Sequence, residues 1–125
     1  MSLPRYAVVG AVATMAHYAV LVAVVEALHW PAWVGSGIGA VVGAQLAYLG
    51  NRQFTFAHRG AVGASWWRFQ LTAALGIALG MAIVALAVHW GWHYLLGQVT
   101  ATIASMLLTY AVNRRWTFAS TPHRD

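Results

Sequence analysis

The chain has 125 residues, of which 61% are hydrophobic and 7% charged. So few charges cannot shield that much apolar surface from water, which excludes an ordinary soluble domain and makes the bilayer the natural solvent. The net charge of +5 comes from arginine alone, and the arginines flank apolar stretches, so membrane topology and anionic headgroups explain them better than nucleic acid does. Cysteine is absent, which excludes disulfides and thiol chemistry.

Four spans are predicted, at roughly 6–28, 31–50, 69–90 and 93–112. Each covers about 30 Å at the rise of an α-helix, which matches the hydrocarbon thickness. The first apolar run is too long for a signal-peptide core, and no clear small-x-small cleavage site follows it, so it is read as a retained helix. The connections His29-Trp30-Pro31 and Gly91-Trp92-His93 are short and make each pair of spans a helical hairpin. The central connection, 51–68, is longer and carries Arg52, Arg59 and Arg68. Its end, Ala61–Phe69 with Trp66 and Trp67, is expected to lie along the membrane surface. The fold expected is an all-α integral membrane protein with one four-span domain over 1–125.

With four spans, all seven arginines fall on one side: Arg5, then Arg52, Arg59 and Arg68, then Arg114, Arg115 and Arg124. The positive-inside rule makes that side cytoplasmic and puts both termini there, in a cell (inner) membrane. Glu26, His29, Trp30, Trp33, His89, Trp90, Trp92 and His93 fall on the opposite side, where the tryptophans suit an aromatic belt.

The sequence also repeats. Asn51-Arg52-Gln53-Phe54-Thr55-Phe56 returns as Asn113-Arg114-Arg115-Trp116-Thr117-Phe118. Tyr48 and Tyr110, and Trp30 and Trp92, share the offset of that pair, whereas Arg5 and Arg68 differ from it by one residue. Two tandem units are expected, about 5–56 and 68–118. Each crosses the membrane twice, so the repeats are parallel about an axis along the membrane normal. Gly35, Gly39 and Gly43 in the second span correspond to Gly97, Ala101 and Ser105 in the fourth. Four-residue spacing puts each set on one helix face, and close packing of spans two and four is expected there.

Several polar residues lie in or near the spans. Glu26 falls near the outer interface and is read either as an exposed carboxylate or as a proton site with His29 nearby. His17 lies near the middle of span one and is read as an interhelical hydrogen-bonding group or as a proton-coupling residue. Gln45, Tyr48, Gln98, Thr102, Ser105, Thr109 and Tyr110 give spans two and four polar content for interhelical bonds or a hydrophilic track. His29, His89 and His93 share one side, but with no thiol or carboxylate ligand set among them no metal site is expected. No cofactor is expected either. The chain lacks a nucleophile–histidine–acid set, paired carboxylates and a phosphate-binding glycine loop, so an enzyme is not expected.

The repeated hexapeptide admits two readings. One is a pair of helix ends, with asparagine and arginine suited to a helix C-terminus and the aromatics anchoring at the interface. The other is a headgroup site. Arginine binds phosphate through paired hydrogen bonds, Asn and Thr complete a polar pocket, and the aromatics stack on a sugar.

A compact four-span chain with an N-R-x-[FW]-T-F element closing each hairpin resembles the GtrA-like family of small bacterial membrane proteins, over about residues 5–119. The resemblance implies a part in cell-surface polysaccharide synthesis, through translocation of a polyprenyl-phosphate-linked sugar between leaflets. On that expectation Arg52 and Arg114 capture the phosphate, helped by Arg115 and Arg68. Asn51, Asn113, Phe54, Thr55, Trp116 and Thr117 hold the headgroup, which crosses along a polar seam of spans two and four. The expected partners are that lipid, other membrane lipids and further copies of the chain as a homo-oligomer; nucleic acid is not among them. Two alternatives stand beside this reading: a membrane scaffold recruiting a glycosyltransferase, and a proton-coupled small multidrug exporter using Glu26.

Overall fold

The computed structural model describes residues 3–50 and 62–112, which form four helices. They are α1 (Leu3–Glu26), α2 (Ala32–Gly50), α3 (Val62–His89) and α4 (Tyr94–Val112). Each contains a stretch long and apolar enough to cross a membrane. Pro4 lies in the first turn of α1 and Pro31 just ahead of α2, places where a missing N–H costs least. The segment expected to lie on the membrane surface is instead the start of α3, which runs unbroken through Trp66 and Trp67. Between Gly63 and Gly76 the sequence offers neither glycine nor proline to interrupt the helix.

Two tight turns reverse the chain. After α1, His29 adopts φ 58°, and the Trp30 N–H donates to the Val24 carbonyl at 3.2 Å. After α3, Gly91 adopts φ 89°, and the Trp92 N–H donates to the Ala87 carbonyl at 2.9 Å. Both are left-handed helix caps, natural for glycine and tolerated by histidine more readily than by branched residues. In the second turn, the Leu95 N–H donates to His93 Nδ1 at 3.1 Å, so His93 caps the N-terminus of α4.

Helix α1 packs on α2, α3 on α4, and the two hairpins meet along α2 and α3. The small-residue stripes work inside the hairpins. A Cβ on Gly39 would stand 2.5 Å from the His17 carbonyl oxygen, and one on Gly35 3.1 Å from Leu21 Cδ1 and Val24 Cβ. A Cβ on Gly43 would lie 3.0 Å from the Ala13 carbonyl oxygen. All of these neighbours belong to α1. On α4, a Cβ at Gly97 would lie 2.8 Å from Ala87 Cβ of α3, while Ala101 and Ser105 face Gly80 and Gly76. The expected packing of spans two and four is therefore corrected: each stripe closes on its own hairpin partner. A turn of four or five residues holds the two arms of a hairpin side by side, so the small face is used there first.

Burial follows a regular register. Val9, Ala13, Leu21 and Val24 are buried on α1, and 63 positions later so are Thr72, Gly76, Val84 and Ala87 on α3. On α2, Gly35, Ser36 and Gly39 are buried, and 62 positions later so are Gly97, Gln98 and Ala101 on α4. The difference of one residue lies in the turns, which span 27–31 and 90–93.

Candidate functional site

The bundle has two unlike ends. One carries both tight turns. At the other, α1 and α3 begin and α2 and α4 finish. Gly50, the last residue of α2, meets Val9 of α1 there. Gly50 and Val112 directly precede the two hexapeptides, so the chain enters both copies from this same end. Arg5 and Arg68 stand at that end and are exposed. Asn51, Arg52, Phe54 and Thr55, together with Asn113, Arg114, Arg115, Trp116 and Thr117, lie outside the described residues.

Around Arg68 the inner face of the bundle is polar and aromatic. Tyr48 and Phe69 pack with ring centroids 5.2 Å apart. One turn away, the Gln45 and Gln70 amides exchange hydrogen bonds, with Gln45 Nε2 donating at 2.7 Å and Gln70 Nε2 at 3.1 Å. This ties α2 to α3, where close packing alone would leave two amides without partners in hydrocarbon. The Tyr48 hydroxyl is buried and has no hydrogen-bond partner among the described residues.

The polar side chains of α2 and α4 do not share a seam, which corrects the crossing path expected between those spans. Gln45 bonds to α3, and Ser105 Oγ donates to the Gly76 carbonyl of α3 at 2.8 Å. Thr109 Oγ1 donates to the carbonyl of Ser105 on its own helix at 2.9 Å, and Tyr110 is 64% exposed.

Helices α1 and α4 are connected differently. Their backbones scarcely approach, yet side chains bridge them. The Tyr94 hydroxyl donates to Glu26 Oε2 at 2.9 Å. Deeper in, the Tyr18 hydroxyl lies 2.8 Å from Thr102 Oγ1 and donates to the Gln98 carbonyl at 3.4 Å, while Gln98 Nε2 donates to Thr102 Oγ1 at 3.1 Å. Glu26 is the last residue of α1 and is exposed, not a mid-span carboxylate. His17 packs its ring on the Gly39 backbone of α2, with its Nε2 buried and without a hydrogen-bond partner among the described residues. Gln70 and Tyr94 were not singled out from the sequence. The i, i+4 spacing of Tyr94, Gln98 and Thr102 is the signal that would have found the α4 face.

The sequence model of the family described as GtrA/DPMS, transmembrane domain, matches residues 5–118. No curated protein and no solved structure matches the chain. The match covers both hairpins and both hexapeptides, and the four apolar helices agree with it in making this a multi-pass membrane protein. That membership places the chain in glycosyl-lipid or polysaccharide synthesis, among membrane proteins that are generally non-catalytic. The chain belongs to the GtrA/DPMS transmembrane-domain family.

Proposed function

We propose that the protein translocates a polyprenyl-phosphate-linked sugar across the cell membrane for surface polysaccharide synthesis. One observation carries this reading: α2 and α4, each leading into a copy of the Asn-Arg-x-aromatic-Thr-Phe element, finish at the same end of the bundle, where Arg5 and Arg68 also stand. Guanidinium groups gathered at one membrane edge suit a lipid phosphate, which takes paired hydrogen bonds from arginine. Arg52 and Arg114 are the capturing residues, with Arg115 and Arg68 beside them. Asn51, Asn113, Thr55 and Thr117 offer amide and hydroxyl groups to the sugar, and Phe54 and Trp116 offer stacking faces.

The register of burial supports a tandem duplication, since contacts at Ala13, Leu21 and Val24 recur at equivalent positions of the second hairpin. Two like units with the same orientation put their arginines on one side, and the positive-inside rule makes that side cytoplasmic. A bundle this small encloses little volume, so the active form is a homo-oligomer. Lipid movement is downhill, drawn by consumption of the sugar on the far face.

The test is leaflet exchange of a labelled polyprenyl-phosphate sugar in liposomes containing the purified protein. Acceleration over protein-free vesicles is expected, with Arg52→Ala and Arg114→Ala each weakening binding by about tenfold or more, the scale of a lost charge-assisted contact. An exchange rate equal to that of empty vesicles sinks the proposal. A second reading, a membrane anchor that recruits a glycosyltransferase, is favoured by the family's description as a transmembrane domain. It predicts co-purification of such an enzyme and no lipid exchange. The exporter reading loses its footing because Glu26 ends α1 and is exposed, engaged by Tyr94.

A further inference from the structure

We infer that the headgroup crosses between α1 and α4, and that the polar contacts bridging these helices are a gate at the hairpin end. This rests on the translocase reading and adds to it the path and the residues that line it.

Three observations converge on this seam. The first is its construction. The interfaces within the hairpins and the α2–α3 interface are closed by backbone approach and interlocked side chains, whereas α1 and α4 scarcely approach and are held by side-chain hydrogen bonds. Such bonds exchange readily for bonds to a hydroxylated ligand, but interlocked glycines and methyls do not part without loss of packing.

The second is the spacing. Tyr94, Gln98 and Thr102 follow at intervals of four on α4, and Tyr18 and Glu26 lie two turns apart on α1. These faces form a ladder from the exposed Tyr94–Glu26 contact inwards to Tyr18 and Thr102. At 1.5 Å per residue the ladder reaches about 12 Å into the bundle. All of these bridging contacts lie on the turn side of the middle of α1 and α4. The seam is thus bolted at the hairpin end.

The third is an acceptor without a donor. Gln98 is 1% exposed, its amide nitrogen is engaged by Thr102, and its Oε1 has no hydrogen-bond partner among the described residues. Buried amide oxygens are nearly always bonded, so an unengaged one at the foot of a polar ladder marks where a donor is received. A sugar hydroxyl supplies that donor and accepts in turn from Tyr18. The ligand class is a hydroxyl-rich headgroup on a lipid whose tail remains outside the seam.

Two measurements on the full chain test the inference, and the absence of native cysteine keeps the labelling clean. In detergent, short-prenyl phosphates of glucose and mannose at saturation are expected to slow alkylation of Thr102→Cys by about fivefold or more. Gln45→Cys, in the α2–α3 interface, is expected to show no protection. In liposomes, Gln98→Leu is expected to lower leaflet exchange about tenfold, the scale of one hydrogen bond lost in transit, while Gln45→Leu leaves it unchanged. No protection at Thr102→Cys by either probe, equal protection at both sites, or an undiminished rate in Gln98→Leu overturns the seam. If the wild-type protein exchanges no lipid, the translocase reading falls by itself, and the protection pattern still decides whether this seam binds such headgroups.

Discussion

The two hairpins use the same register to opposite effect. In the first, the small residues belong to the second arm: Gly35, Gly39 and Gly43 of α2 receive Leu21, His17 and the Ala13 carbonyl of α1. In the second, Gly76 and Gly80 of α3 receive Thr109 and Ser105 of α4. His17 and Gly80 occupy matching positions, as do Gly39 and Ala101. At these layers bulk and cavity have changed sides while the helix positions were kept, whereas nearer the turns the hollow stays on the second arm in both hairpins, at Gly35 and Gly97. What is preserved between the halves is therefore the fit of each pair, and no residue need be identical for the helices to meet at the same distance.

This comparison is open to breakage at its tightest layer. Gly39→Ala puts a methyl against the His17 carbonyl, a backbone atom that cannot swing aside. It is expected to destabilise the bundle by about 1–3 kcal/mol. Gly80→Ala, at the matching layer of the second hairpin, meets Ser105 Oγ at 3.4 Å and Ala101 Cβ at 3.7 Å. It is expected to be neutral, or stabilising by up to about 1 kcal/mol through helix propensity. Equilibrium unfolding in mixed micelles, followed by far-ultraviolet circular dichroism, measures both; equal losses would erase the asymmetry.

A smaller difference separates the turns. Gly91→Ala forces a side chain into positive φ and is expected to cost about 1 kcal/mol, whereas His29→Gly relieves the same conformation and is expected to gain up to about 1 kcal/mol. The same unfolding assay resolves them, and a gain from Gly91→Ala would contradict the left-handed cap. Smallest of all, Gln45→Leu leaves the Gln70 amide without its partner and is expected to cost roughly 0.6 kcal/mol, the average for such bonds in membranes. Gln45→Leu combined with Gln70→Leu is expected to recover most of that loss, and a cost equal to the sum of the single variants would show that the pair acts independently.

Much of the architecture was legible because bilayer physics is coarse. Spans of bilayer length, turns at His29 and Gly91, and the one-residue shift between units follow from apolar runs and spacing alone. Partner choice was not legible. Four-residue spacing in Gly35, Gly39 and Gly43 says that a face is small, but not which helix it meets, and the short turn awards that face to α1. The start of α3 was misread because Trp66 and Trp67 suit an interface whether the helix lies flat or stands upright. Of the candidate site, the shared end of Arg5 and Arg68 was readable from the sequence, whereas the contacts of Tyr18 and Tyr94 depend on how far apart α1 and α4 stand, which no local pattern encodes.

The turns also bear on biogenesis. Residues 27–31 and 90–93 contain no arginine, aspartate or glutamate, so in the proposed orientation each hairpin carries almost no charge across the membrane during insertion. A pair of apolar arms joined by a few uncharged residues enters as one piece, without a hydrophilic segment to be hauled through. Because each hairpin holds both its protrusions and its hollows, the first can close before the second leaves the ribosome. The α2–α3 contact then forms when the second hairpin arrives, and the hydrogen-bonded edge between α1 and α4 is completed once α4 has entered.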